Sequence, residues 1–292
     1  MYSGKQRWKY LRAAVLQKTT DIFVREGTTP ALTSSGTFES FGLLAVRALP
    51  IAGEEQWFEY SCSLVPDFRL TIRHCPKTIS LEQLTGFNNT GNICVWSSEE
   101  VLAYHCLRHK DCFSERRVCE LGAGMTGLAG LSVAAAANAS KVVLTDGNEL
   151  SVANIAVNAA ANASMFGSTS VTTSCVVWDS LNEFPEYKKM FDYILCADCL
   201  FFRDCHDSLL HTMLTFLKDE GEIIIFTPKR NGSCWDFVEK AKRQFSVRVF
   251  ERYDEQLWTI HVERQRSSAT YNPDIHYPLK IILKKIQMQE AV

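Results

Sequence analysis

Apolar positions change their period along the chain, and each change predicts an element. Trp8, Leu11 and Val15 fall on one helical face, the pattern of a short amphipathic docking helix. Glu26 to Thr37, rich in Gly, Thr, Ser and Pro, reads as a linker. From Phe38 to His74 the period becomes two. Phe38 to Val46, Trp57 to Leu64 and Arg69 to His74 predict a small antiparallel β unit interrupted at Pro50, Gly53 and Pro66-Asp67. The apolar run Ile93 to Trp96 then meets Ser97-Ser98-Glu99-Glu100, where Ser97 and Glu100 have the spacing of a capping box, and a helix follows over Val101 to His109.

Beyond Val118 short apolar runs alternate with helical patterns, as a parallel sheet requires. Strands are predicted at Val118 to Leu121, Lys141 to Thr145, Ser170 to Val177, Phe191 to Ala197, Glu222 to Thr227, Val247 to Arg252 and Leu279 to Leu283. Helices are predicted at Leu128 to Ala137, Leu150 to Ala163, Ser208 to Leu217 and Ser233 to Gln244. The last two strands are joined by a long polar segment without helical periodicity, and a strand returning without a crossover helix pairs antiparallel. The expectation is an α/β fold: seven mostly parallel strands with an antiparallel last strand, plus a small N-terminal β-containing subdomain. Its divisions are 1–36 (helix and linker), 37–110 (subdomain) and 111–292 (main domain).

The first of those strands carries the chemistry. Val118-Cys119-Glu120-Leu121-Gly122-Ala123-Gly124-Met125-Thr126-Gly127 places a glycine turn between a buried strand and a helix, and Asp146 ends the next strand. Glycines permit a tight turn and close backbone approach to a ligand, and an acid at the second strand tip suits a ribose diol. Glu120 separates the candidate ligands. A pyrophosphate at the helix N-terminus is repelled by a carboxylate two residues before Gly122, whereas a sulfonium and an ammonium are attracted. Glu-x-Gly-x-Gly therefore fits S-adenosylmethionine better than a dinucleotide.

Composition adds limits. With 292 residues, 46% hydrophobic and 22% charged, the chain can bury a sizeable core. A net charge of -2 gives no global field toward nucleic acid, so no nucleic-acid partner is expected. The sequence has no membrane span. Eleven cysteines, among them Cys119, Cys175 and Cys196 within apolar runs, suit the reduced core thiols of a cytosolic protein, so the cytoplasm is the expected location, with the nucleus as an additional one. Cys196-Ala-Asp-Cys199 is a single C-x-x-C without a second pair, so no metal is expected. The basic start, Lys5 to Lys18 ahead of Asp21, has the charge of a transit peptide, but its helical face favours docking.

Longer stretches carry a family resemblance. They are Arg7 to Arg12, Phe38-Glu39-Ser40-Phe41, Phe87-Asn-Asn-Thr-Gly-Asn-Ile-Cys-Val-Trp96, Ser98 to Tyr104, Cys119 to Gly122, Leu144 to Glu149, Cys196-Ala-Asp-Cys-Leu-Phe201 and Asn272 to Leu279. Through them the chain resembles the seven-strand, Rossmann-like, S-adenosylmethionine-dependent protein-lysine methyltransferases, most of all those acting on calmodulin. The glycine loop specifies only the superfamily; the Phe87 to Trp96 and Ala197 to Phe201 stretches narrow it.

The resemblance implies roles by position. Trp96, Gly122, Ala123 and Gly124 contact the cofactor, Asp146 holds the ribose, Trp178 borders the adenine and Ala197 lines the same pocket, with a core role as the alternative for both tryptophans. Asp198 borders the lysine channel in an Asp-x-x-Phe element ending at Phe201, with helix capping as its alternative. There Asp198 orients the amine or relays its proton, and Phe201, lacking a hydroxyl, leaves apolar room for an amine already methylated. The implied partner is calmodulin, bound by a monomer, with Lys229-Arg230, Lys240-Lys242-Arg243 and Arg264-Arg266 as basic docking candidates for that acidic protein. A different protein client and a catalytically silent cofactor-binding scaffold stay open as other readings.

Overall fold

A computed structural model describes residues 37–38, 40–50, 56–74, 95–178 and 184–286. All lie in one compact unit, 35–292. The expected docking helix and linker, and Phe87 to Cys94 of the resemblance, fall outside the described residues.

The main sheet has seven strands: β6 (Arg117–Leu121), β7 (Lys141–Asp146), β8 (Ser170–Cys175), β9 (Phe191–Ala197), β10 (Leu217–Thr227), β11 (Phe245–Phe250) and β12 (Leu279–Lys285). Their spatial order is β11-β12-β10-β9-β6-β7-β8. β6 pairs parallel with β7 and β9, β7 with β8, and β9 with β10, while β12 runs antiparallel between β10 and β11. The antiparallel last strand is therefore as expected. Val118, Cys119, Leu121, Val142, Val143, Leu144, Ile194, Leu195 and Cys196 are all inaccessible, because helices cover both faces of a parallel sheet. The order reverses beside β6, so the crevice at the carboxyl ends of β6 and β9 is where an open α/β sheet binds ligands.

Helices α1 (Ser97–Arg108), α2 (Leu128–Ala136), α3 (Glu149–Ala161), α4 (His206–Phe216), α5 (Ser233–Ala241) and α6 (Glu255–Ser267) flank the sheet, with a single turn α7 (Pro273–His276) before β12. α6 occupies the segment expected to lack a helix. Asp254 caps it by accepting from Leu257 N at 2.9 Å, but only Leu257 and His261 of its length are buried. So narrow a buried stripe, half of it histidine, gives little apolar periodicity.

The N-terminal sheet is antiparallel: β2 (Ala45–Ala48), β3 (Gln56–Cys62) and β4 (Val65–His74) in sequential order. Two boundaries differ from expectation. The run Phe38 to Val46 is not one strand. β1 (Thr37–Phe38) pairs parallel with β5 (Val95–Trp96), and the chain turns at Gly42 (φ +71°) before β2. Pro66-Asp67 does not break β4, which begins at Val65; Pro66 sits near the strand start, where its missing donor is tolerated.

A ladder of asparagines joins this sheet to the main domain. Asn158 Oδ1 accepts from Arg73 N at 2.8 Å, Asn162 Oδ1 accepts from Thr71 N at 2.8 Å, and Asn162 Nδ2 donates to Thr71 O at 2.7 Å. Asn154 Nδ2 donates to Arg73 O at 3.0 Å and to Met125 O at 2.7 Å. Four residues of helix rise about 6 Å and two of strand about 6.6 Å, so Asn158 and Asn162 meet alternate residues of edge strand β4, Arg73 and Thr71, while Asn154 shares Arg73. They satisfy an otherwise open edge and reach the glycine loop as well.

Candidate active site

The turn after β6 places Gly122 (φ +67°), Gly124 (φ +62°) and Gly127 (φ +63°) in the left-handed region. A β-carbon on Gly122 would lie 2.6 Å from Cys199 Sγ and 3.5 Å from Trp178 Cζ2, so the loop backbone packs directly on both side chains. From β7, Thr145 O accepts from Ala123 N at 2.8 Å. Asp146 Oδ2 accepts from Gly124 N and Oδ1 from Asn148 N, both at 2.9 Å. Two carboxylate oxygens offer four acceptor sites, so Asp146 keeps acceptor capacity beyond its backbone donors.

Glu120 sits beneath this loop. It is 1% exposed, and its Oε2 accepts from Gly130 N at 2.7 Å in the first turn of α2. Its action on a bound cation is thus through its field, from below the turn. Gly130 is required here: a β-carbon would be 2.8 Å from Glu120 Oε2 and would collide with Leu144. Glu99 of α1 approaches from the other side, accepting from Thr126 Oγ1 and, at 3.3 Å, from Leu128 N. The expected capping box is absent. Trp96 is the N-cap residue, without a side-chain cap, and Glu100 instead accepts from Phe41 N at 2.6 Å, Leu43 N at 2.8 Å and Ser40 Oγ at 3.0 Å. Glu100 has thus been taken by the returning N-terminal segment.

Three acids are therefore buried around one loop. Burial, then the charges of Glu99 and Asp146, raises Glu120 to about 8; burial, offset by hydrogen bonds and reinforced by Asp146, raises Glu99 to about 7. Burial raises Asp146 to about 6 despite three backbone N–H groups. A cluster so short of counter-charge fits a cationic ligand such as S-adenosylmethionine and disfavours a phosphate.

Across the crevice, β9 delivers Ala197 and Asp198. Asp198 has left-handed backbone (φ +54°), and its N–H donates to Phe226 O at 2.9 Å. Its carboxylate does not cap a helix; both oxygens pair with Arg230, Oδ1 accepting from Nε at 2.8 Å and Oδ2 from Nη2. Arg230 Cζ stands 5.5 Å from the Trp96 ring centroid. Phe201 is half-buried three residues on. The C-x-x-C thiols are packing groups: Cys196 and Cys199 are buried free thiols, and the hydrogen bond with Cys196, together with burial, pushes Cys199 well up. Cys199 Sγ lies 3.4 Å from Leu121 O. Among the described residues no cluster of three His, Cys, Asp or Glu could hold a metal.

The structure thus brings Gly122, Ala123, Gly124, Asp146 and Trp178 together at the loop and joins Asp198 to Trp96 through Arg230, with Ala197 at the end of β9 and Phe201 three residues past Asp198. Sequence reasoning missed Glu99, Gly130 and Arg230. Glu99 was hidden inside the capping-box pattern, Gly130 lay outside the Gly-x-Gly-x-x-Gly spacing, and Arg230 looked like a surface charge. Among the basic docking candidates, Lys229 pairs with Glu251 at 2.8 Å, Lys240 with Asp207 and Lys242 with Glu239 at 2.6 Å, and Arg264 donates to the carbonyl of Ser40.

A reversed-order parallel sheet with an antiparallel last strand and this loop define a class, the S-adenosylmethionine-dependent methyltransferase fold. It is shared with a SAM-dependent methyltransferase of Streptococcus mutans (TM-score 0.50, 12% identity, covering 80% of this chain and 56% of that one). The methyltransferase SMU.776, solved with SAH, gives a TM-score of 0.53 at 11% identity, covering 81% and 57%. Within that class the chain belongs to the lysine methyltransferase family, whose model matches residues 76–244. An Arabidopsis thaliana relative, calmodulin-lysine N-methyltransferase, is 33% identical over 307 residues, 96% of either chain. A protein N-lysine methyltransferase of Xenopus tropicalis is 28% identical over 171 residues, 58% of this chain and 75% of that one.

Proposed function

We propose that this lysine methyltransferase takes its methyl groups from S-adenosylmethionine and places them on a lysine of calmodulin, proceeding to trimethyl-lysine. The observation that supports calmodulin most is the 33% identity over 96% of both chains to the Arabidopsis enzyme, which extends well beyond the 76–244 family segment. Phe201 in place of a hydroxyl-bearing residue supports the trimethyl endpoint, since each added methyl takes volume and removes an N–H, and an apolar wall suits both.

When bound, the donor would supply a methyl carried on a sulfonium, to which the neutral lysine amine would form an N–C bond as the C–S bond breaks and its electron pair passes to sulfur. Gly122, Ala123 and Gly124 give its carboxyl and amino end close backbone approach, Asp146 accepts from the ribose hydroxyls, and Trp178 covers the adenine. Glu99 and Glu120 compensate its positive charge from beneath the loop. Presenting an ordinary lysine as a free amine at pH 7 costs about 4 to 5 kcal/mol, from a pKa near 10.4. Trp96 and Phe201 desolvate that amine, Asp198 orients it by accepting an N–H in the first two transfers, the apolar walls alone hold the dimethylamine in the third, and the proton passes to water.

Incubating the purified protein with unmodified calmodulin and donor, then reading intact mass and fragments, tests the reading. The expected result is one lysine carrying three methyl groups. No mass shift sinks calmodulin as substrate; a single-methyl endpoint sinks the pocket argument and leaves the substrate standing.

A further inference from the structure

Asp198 is half of a buried pair in the fold. Its partner Arg230 is not a mobile surface arginine. The side chains of Arg230 and Asp198 are 13% and 9% exposed, and the guanidinium engages both carboxylate oxygens. Arg230, Asn231 and Gly232 are three successive left-handed residues (φ +43°, +53° and +85°). The turn they make is fastened from outside: Asn231 N donates to Asp274 Oδ2 at 2.8 Å, and Arg203 Nη2 donates to Asn231 O at 3.0 Å. The face of Trp96 completes the surroundings of the cation.

The neighbouring charges have other partners. Lys229, before the turn, pairs with Glu251, and Arg203 pairs with Asp236 of α5. Asp274 of α7 receives the Asn231 amide, and the Cys199 thiol beside Asp198 is held protonated by its hydrogen bond with Cys196 and by burial. The cation facing Asp198 is therefore Arg230.

We propose that Arg230 is a positioning residue of the methyl-transfer site, which neutralises Asp198 so that the substrate lysine meets an oriented acceptor with little net negative charge. The inference rests on the lysine-methyltransferase reading above. An uncompensated carboxylate beside the lysine would stabilise its ammonium, the form that cannot attack. A lysine donates from a single point and cannot replace a two-pronged, buried guanidinium without stranding it. The pair thus persists with substrate bound. Each carboxylate oxygen still has a lone pair to receive an amine N–H, while the guanidinium's charge opposes the ammonium.

The test is the pH dependence of kcat at saturating calmodulin and donor, whose acid limb reports the amine in the complex. Arg230→Gln should move that limb up by about one pH unit or more, so that the rate loss relative to wild type is roughly tenfold greater at pH 7 than at pH 9. Arg230→Lys, which keeps the charge, should return the limb most of the way to its wild-type position even where kcat stays low. Asp198→Asn, which leaves the guanidinium uncompensated, should move the limb the opposite way, and it carries the test if Arg230→Gln does not fold. A rate loss equal at both pH values, or an Asp198→Asn limb that does not move, overturns the proposal and makes the pair a structural brace. A faster Arg230→Gln enzyme with lower KM also overturns it, since Arg230 would then be competing with substrate. A silent wild-type chain would bring down the underlying reading and the proposal with it, and is told apart because the wild type itself fails.

Discussion

Glu120, Glu99 and Asp146 hold their protons more tightly in the fold than in the unfolded chain, with values of about 8, 7 and 6 set mainly by burial. Their contribution to stability is therefore whole below the ordinary carboxylate range and is lost as pH rises through about 6 to 8, the reverse of a salt-bridged acid. His74 does not mask this, because burial lowers it to about 4, and burial lowers His206 and His261 as well. Without donor, the melting temperature should fall by several degrees between pH 6.5 and 8.5, and Glu120→Gln should flatten that slope. A wild-type melting curve indifferent to pH in this range would refute the charge cluster. Asp146→Ala should weaken donor binding by about 2 kcal/mol or more, because two ribose hydroxyls lose a charged acceptor. Calorimetric titration decides this, and unchanged affinity would remove Asp146 from the ribose site. Asp198→Ala should leave donor affinity in place and cost about 100-fold in turnover; a wild-type rate would show that its ion pair only braces the fold.

At the scale of elements, what holds the crevice open is a set of unlike contacts between helices and loops. The asparagines of α3 connect β4 to the glycine loop, since Asn154 and Asn158 donate to Met125 O and Thr126 O as well as meeting Arg73. Asn158→Ala leaves Arg73 N without its acceptor inside a packed joint, and should cost about 1 to 3 kcal/mol in a denaturant titration. A loss within a few tenths of that of a surface substitution would mean that β4 does not depend on the ladder. Gly130→Ala should destabilise by a similar amount, about 1 to 3 kcal/mol, because its β-carbon meets Leu144 and Glu120 where α2 crosses β7. α1 has a double duty of the same kind. Its first turn directs Glu100 to the returning 40–43 segment and Glu99 to the glycine loop, so adjacent residues tie the N-terminal region and the cofactor loop to one helix.

Over the described molecule, the alternation of strands and helices, the glycine turn with Asp146 behind it, and the antiparallel last strand were legible before any coordinates. These features follow from local physics: side-chain period selects strand or helix, and glycine permits the left-handed turn. Helix α6 was illegible because its burial comes from Leu257 and His261 packed against groups distant in the chain, with no apolar stripe to announce it. The strand expected over Phe38 to Val46 was divided by Gly42, whose position in the turn is fixed by the carboxylate of Glu100, some 60 residues away. The candidate site residues could be named from a motif, yet their partners could not. Glu120 turned to Gly130 rather than to the crevice, and Arg230, counted among surface charges, closed on Asp198 and Trp96. The sequence by itself determined which segments are strands, which turn can cradle a ligand and which family the pattern resembles, since those depend on neighbours in the chain. The tertiary structure alone decided which acids are stripped of water and which cation answers which carboxylate, because burial and charge pairing depend on groups brought together from distant segments.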